Sequence, residues 1–228
     1  MAKIGFNKNV LISVVCYLRV YLGLSQQKLA ELTGLSANDI CHIERGKGVQ
    51  LRTVRTLAGF FHITIDTIIN NSFGAIGSVL PSLPVINEET RARRLSTNAR
   101  KDKTGLLGEE VAAQLEREKL VGTPYAALVN PNFAYVEGAG FDILSFTPEG
   151  KHLFIEVKAS RSRKNDPFSI SQNELDFMYF CLENDLNYVL YRIYALKSRD
   201  KYLVKIYTAQ DLAHCRFTPA SYKVVGLD

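Results

Sequence analysis

The spacing of apolar positions changes period near the middle of the chain. Up to about residue 70, apolar residues recur at helical spacing in short blocks, each opened by a polar cap. A first helix is predicted from about Asn9 to Tyr21. Ser25 then stands as an N-cap, and Leu29, Ala30 and Leu32 form the inward stripe of a second helix. Thr33-Gly34-Leu35 makes a tight turn, with glycine where a left-handed residue is wanted. Ser36 caps a third helix whose Ile40 and Ile43 pack inward and which Gly46 ends. Further helices near Leu51 to Phe61 and Ile65 to Asn70 complete a compact five-helix domain over residues 1–71.

From Ser72 neither period holds. Ser72 to Ser78, with Pro81 and Pro84 beyond, reads as extended. Glu88-Glu89-Thr90-Arg91-Ala92-Arg93-Arg94, with Arg100, Lys101 and Lys103, reads as a short helix, a basic arm or a solvated charge run. These residues form a basic linker over 72–103. Residues 104–228 form a second domain, in which short apolar runs of strand period appear.

In His152-Leu153-Phe154-Ile155-Glu156-Val157-Lys158, the residues Leu153, Ile155 and Val157 take one face of a strand. Glu156 and Lys158 therefore share the other. Phe141 to Phe146 reads as the partner strand, with Thr147-Pro148-Glu149-Gly150 as the turn between them, so the hairpin brings Asp142 beside Glu156. Two adjacent carboxylates repel and are stable together mainly around a hard cation, most simply a magnesium ion that keeps several waters. Such an ion polarises a phosphate and acidifies bound water, while a neighbouring lysine orients that water and stabilises phosphate charge. The alternative is an exposed Glu-x-Lys pair on a wet strand face, which does little.

Four segments decide between these readings. Gly105-Leu106-Leu107-Gly108-Glu109-Glu110-Val111, Gly140 to Phe146, Phe154 to Lys158, and Phe168-Ser169-Ile170-Ser171 with Asn173-Glu174 together resemble the NO VEIN C-terminal domain family, over roughly residues 104 to 208. That family looks like a branch of the PD-(D/E)XK, restriction-endonuclease-like nucleases. The resemblance implies a mixed four-stranded sheet flanked by helices, with Asp142 and Glu156 as metal ligands and Lys158 as the catalytic lysine. It also implies an outer acid from Glu109 or Glu110. On a helix these point roughly 100° apart, so one alone faces the site, and Glu109 is the preferred one. Glu174 has two readings, an accessory acid or the closing member of the capping box Ser171-Gln172-Asn173-Glu174 that opens a helix to about Leu186.

Leu24 to Lys47 resembles the helix-turn-helix of Cro and phage repressors. That resemblance places the third helix in a major groove, with Ala37, Asn38, Cys41 and His42 facing outward. Asn38 suits an adenine edge, Ala37 a thymine methyl, and His42 a base or phosphate. Gln26, Arg45 and Lys47 suit phosphates. Arg161, Arg163 and Lys164, just after the catalytic strand, would supply local positive charge for DNA. The fold class expected is thus α plus α/β.

Charge fits this division. The net charge is +5, and residues 1–75 carry eight Lys or Arg against four acids, residues 76–103 six against three, and residues 104–228 fourteen against sixteen. The positive surplus lies where DNA would be gripped. Cys16, Cys41, Cys181 and Cys215 form no metal-spaced pair and read as reduced, mostly buried thiols. The apolar run Val10 to Leu18 is too short to span a bilayer, so a cytoplasmic protein is expected. Neither a Gly-rich phosphate loop nor a G-x-S-x-G elbow is present, which argues against a nucleotide cofactor. Tyr188, Tyr191, Tyr194, Tyr202 and Tyr207 fall on two C-terminal strands and read as packing.

The expected function is a magnesium-dependent DNA endonuclease of restriction or defence type, with manganese substituting. It would act on double-stranded DNA as a homodimer, and the resemblance implies 5′-phosphate and 3′-hydroxyl ends. The alternatives are a transcription regulator whose nuclease-like domain is silent and serves dimerisation or sensing, and an enzyme acting on RNA or branched DNA.

Overall fold

The structure, a computed structural model, describes residues 12–76, 103–136, 138–163 and 166–218. The first residues of the expected opening helix, most of the basic linker and Lys164 lie outside the described residues.

Five helices come first: α1 (Val14–Tyr21), α2 (Gln26–Thr33), α3 (Ala37–Glu44), α4 (Leu51–Phe60) and α5 (Ile65–Ile69). The caps behave as their chemistry requires. The Ser25 hydroxyl accepts from the Lys28 N–H and that of Ser36 from the Asp39 N–H. Gly34 ends α2 at φ +66°, a conformation that other residues adopt only at a cost. Leu29, Ala30, Ile40 and Ile43 are buried, but Leu32 is 49% exposed. The inward stripe of α2 is centred between Leu29 and Ala30, and Leu32 projects roughly 110° away from it.

A buried ion pair ties α1 to α3. Arg19 donates through Nη2 to Glu44 Oε2 at 2.9 Å and through Nη1 to the Leu24 carbonyl at 2.8 Å. Gln26 joins it, donating from Nε2 to Glu44 Oε2 at 2.8 Å.

The opening of the expected linker is ordered differently. Phe73–Ala75 form a 3₁₀ turn, with Phe73 and Ile76 buried. Two apolar residues three apart are too few to register as a period, yet both find cover. Phe73 packs against Phe146 (5.4 Å between ring centroids) and His152 (4.7 Å) of the sheet. Nearby, the Tyr17 hydroxyl donates to the Leu128 carbonyl at 2.9 Å, and Asn132 Nδ2 donates to the Tyr21 carbonyl at 3.3 Å. The helical region and the sheet region therefore share one continuous apolar core.

The second region runs α6 (Lys103–Lys119), β1 (Ile143–Phe146), β2 (His152–Ala159), α7 (Gln172–Glu183), β3 (Asn187–Ser198), β4 (Lys201–Thr208) and α8 (Ala209–Ala213). The sheet order is β1-β2-β3-β4, with β2 and β3 parallel and the outer pairs antiparallel. The mixed four-stranded sheet flanked by helices is thus present, and α7 makes the crossover that parallel strands need. Two faces follow from the pleat. Leu153, Ile155, Val157 and Ala159 look towards α6, and Gly108 lets that helix approach, since a Cβ there would lie 2.4 Å from the Ala159 Cβ. Phe154, Glu156 and Lys158 look towards α7, in register with Tyr188, Leu190 and Arg192 of β3.

Candidate active site

Asp142 precedes the regular part of β1 but continues its ladder. Its N–H donates to the Ile155 carbonyl at 2.9 Å, which sets it opposite Glu156, as the alternation requires. Its Oδ2 accepts the Val157 N–H at 2.9 Å. The carboxylate is thereby held against the edge of β2.

Lys158 lies between two acids on the same face. Its Nζ is 2.8 Å from Glu156 Oε1 and 2.6 Å from Glu174 Oε2. Glu174 closes the capping box and also contacts Lys158. The same Oε2 that meets Lys158 accepts the Ser171 N–H at 2.9 Å, while the Ser171 hydroxyl accepts the Glu174 N–H, completing the capping box. One oxygen serves two donors, so cap and site share a residue.

The electrostatics are those of a site with an excess of acids. Burial, followed by the charge of Asp142, pushes the Glu156 carboxyl up to about 9; Lys158 pulls it down and Glu174 adds to the rise. Burial would lower Lys158, but Glu156 and Glu174 outweigh it and hold the ammonium above its ordinary range. Burial would likewise raise Glu174, and Lys158 with the Ser171 cap outweighs it, so that carboxyl lies low. Two carboxylates and one ammonium thus act on Glu156. A divalent cation beside Asp142 and Glu156 would remove the repulsion that raises Glu156, and the oxygen donors suit a hard, partly hydrated ion. Among the described residues no group of three or more His, Cys, Asp or Glu side chains forms a ready-made cage.

The other expected site residues are placed as follows. Glu109 is buried on α6, the helix that covers the opposite face of the sheet, whereas Glu110 is exposed and bonded to Arg199 at 2.7 Å. Arg161 and Arg163 are exposed in the segment after β2. On the helical region Asn38, Arg45 and Lys47 are exposed, and Ala37, Cys41 and His42 are partly so. Asp39 accepts the Ser36 hydroxyl at 2.7 Å, which turns it back onto its own cap.

Arg192 was not among the expected residues. It is buried, donates to the Lys158 carbonyl at 3.0 Å and to Ser160 Oγ at 3.2 Å, and stacks on Phe168 at 5.3 Å. Burial lowers its pKa. Its signal in the sequence is an arginine within the apolar run Tyr188-Val-Leu-Tyr-Arg-Ile, two positions from Leu190, which faces Glu156 in the register. Of the cysteines, all are free and Cys215 is exposed.

Residues 108–206 match the model of the family described as Protein NO VEIN, C-terminal. The match covers the sheet, α7 and most of α6, the part of the chain that carries the acids and Lys158, and it supports reading this part as a nuclease-like domain. No curated protein and no solved structure matches the chain. No helix among the described residues is long and apolar enough to cross a membrane.

Proposed function

We propose that the chain is a metal-dependent DNA endonuclease of restriction or defence type. The observation that carries this reading is the apposition of Asp142 and Glu156 on adjacent strands, with the Lys158 ammonium 2.8 Å from Glu156. Asp142 and Glu156 would hold magnesium, or manganese in its place, and the ion when bound would supply Lewis acidity to a phosphate and a more acidic water. The chain's own residues do the rest. Asp142 is fixed by the Val157 N–H, which sets its carboxylate in one orientation. Lys158 keeps its proton at Nζ and offers positive charge where the scissile phosphate gathers negative charge. Glu174 aims Lys158, and Arg192 anchors the backbone beneath it.

In the same reading α3 enters the major groove of double-stranded DNA. Asn38, Ala37 and His42 meet base edges, and Arg45 and Lys47 meet phosphates. Gln26 spends one amide hydrogen on Glu44 and keeps the other for a phosphate. Arg161, Arg163 and Lys164 add positive charge near the cutting site. Cutting both strands requires two sites, hence a homodimer, acting in the cytoplasm.

One observation favours a second reading. The Lys158 ammonium already has two carboxylate partners at 2.8 and 2.6 Å, as in a site closed by its own charges. A regulator that binds an operator and no longer cuts would have that arrangement.

The test is incubation of supercoiled plasmid and phage DNA, modified and unmodified, with magnesium or manganese, comparing the intact protein with Lys158→Ala. The expected result is nicking or linearisation that needs the metal and falls by about 10²–10⁴-fold in the variant. No cutting by either protein, alongside tight and salt-sensitive duplex binding, would favour the regulator.

A further inference from the structure

Tyr188 lies one step along β3 from the acids, opposite Phe154 and on the face that carries Glu156 and Lys158. It is 3% exposed, and its ring packs 6.4 Å from Phe177 of α7. Its hydroxyl is buried without any hydrogen-bond partner among the described residues. Buried hydroxyls are almost always bonded, because leaving one unpaired forfeits its hydration with nothing in return. Tyr191 shows the usual outcome on the other face of the same strand, where its hydroxyl donates to Glu116, which also accepts from Ser145 and Lys119.

The surroundings of Tyr188 indicate what is missing. After burial, the groups that push its phenol up are Glu156, Glu174, Cys181 and Asp142. The unpaired O–H thus lies within the field of Asp142, Glu156 and Glu174. A direct bond to any of them would have satisfied it, and the structure has none. A phenol donor in a field of carboxylates is suited to an acceptor that those carboxylates themselves attract, such as the water shell of a cation.

We infer that Tyr188 is a positioning residue for the cation site, its hydroxyl donating to a water carried by a divalent ion that rests on Asp142 and Glu156. This rests on the metal-dependent reading above and adds to it a residue from a strand that the Asp142 and Glu156 hairpin does not contain. The hydroxyl would hold one water of that shell in place.

The test is binding of Mn²⁺ alone, followed by electron paramagnetic resonance, and of Mg²⁺ alone, by calorimetry, to the full chain and to Tyr188→Phe. Thermal unfolding is measured in the absence of metal, and Tyr191→Phe serves as the control on the opposite face. The expected result is binding weakened about five- to tenfold in Tyr188→Phe, with metal-free stability equal to or above that of the intact protein. Tyr191→Phe is expected to lower stability and leave metal affinity unchanged. Equal metal affinity in Tyr188→Phe and intact protein would overturn the inference and leave the metal site standing. Failure of the intact protein to bind either ion would overturn the metal site and the inference together, so the two failures are distinguishable.

Discussion

Gly140 is the position at which the site depends most on a single atom. Its φ is +78°, and a Cβ placed there would lie 2.5 Å from the Phe177 Cβ and 2.8 Å from its Cγ. Backbone conformation and contact with α7 both exclude a side chain, two residues before Asp142. Gly140→Ala is expected to cost about 2–4 kcal/mol, combining left-handed strain with overpacking, measured by urea unfolding. A cost below about 1 kcal/mol would mean that α7 yields and does not brace Asp142. At this scale the facing of Asp142 and Glu156 was legible, because a strand has a period of two and a four-residue turn fixes the register. Glu174 was legible as an accessory acid or a cap; the cap is present, and the same oxygen also meets Lys158. Tyr188 was read as packing, since an aromatic in a strand carries no sign of whether its hydroxyl finds a partner. The signal for Arg192 was a charge in an apolar run, and its meaning depended on a strand more than thirty residues away in sequence.

Among the elements, α1 and α3 are joined by a pair that no local pattern announces. Arg19 interrupts an apolar helix and Glu44 closes another, and both are nearly fully buried. Glu44→Ala would leave the guanidinium buried with only the Leu24 carbonyl and Cys16 to receive it, and would also free Gln26. The expected cost is about 3–5 kcal/mol, read by thermal or urea unfolding. The double variant Arg19→Met, Glu44→Met should recover much of it, because a paired apolar replacement leaves no orphaned charge. Regular elements were legible from their caps and periods: Ser25, Gly34 and Ser36 mark α2 and α3, and the alternation marks β2. The 3₁₀ turns at Phe73–Ala75, Ala126–Leu128 and Pro131–Tyr135 were not, since a single turn is too short to express a period. They are formed by what they pack against.

For the molecule as a whole, the sequence suggested two units on a linker, and the structure seats the helices directly on the sheet through Tyr17, Phe73 and Asn132. The weak point of that contact is His152, whose ring meets Phe73, Phe146 and Phe154. Burial pulls its pKa down to about 4. A folded pKa below the unfolded value of about 6.5 means that the contribution is intact above pH 6.5 and is lost as pH falls towards 4. Between pH 7 and pH 4 the intact protein should lose at most about 3 kcal/mol more stability than His152→Leu. Glu156 changes stability in the opposite direction, lending more as pH falls below 9, but both proteins share it and it cancels in the comparison. Parallel pH profiles for the two proteins would mean that water reaches the imidazole and that the helices are seated less tightly.

The double duty of Glu174 bears on how such a chain can change over generations. In the proposed nuclease, loss of Asp142 or Lys158 would silence cutting and leave helix α7 properly started. Loss of Glu174 would fray the helix as well, at about 1 kcal/mol for the cap alone. In a lineage that had given up cleavage, selection for folding alone would still preserve this glutamate. Its presence in a descendant is therefore no testimony to activity.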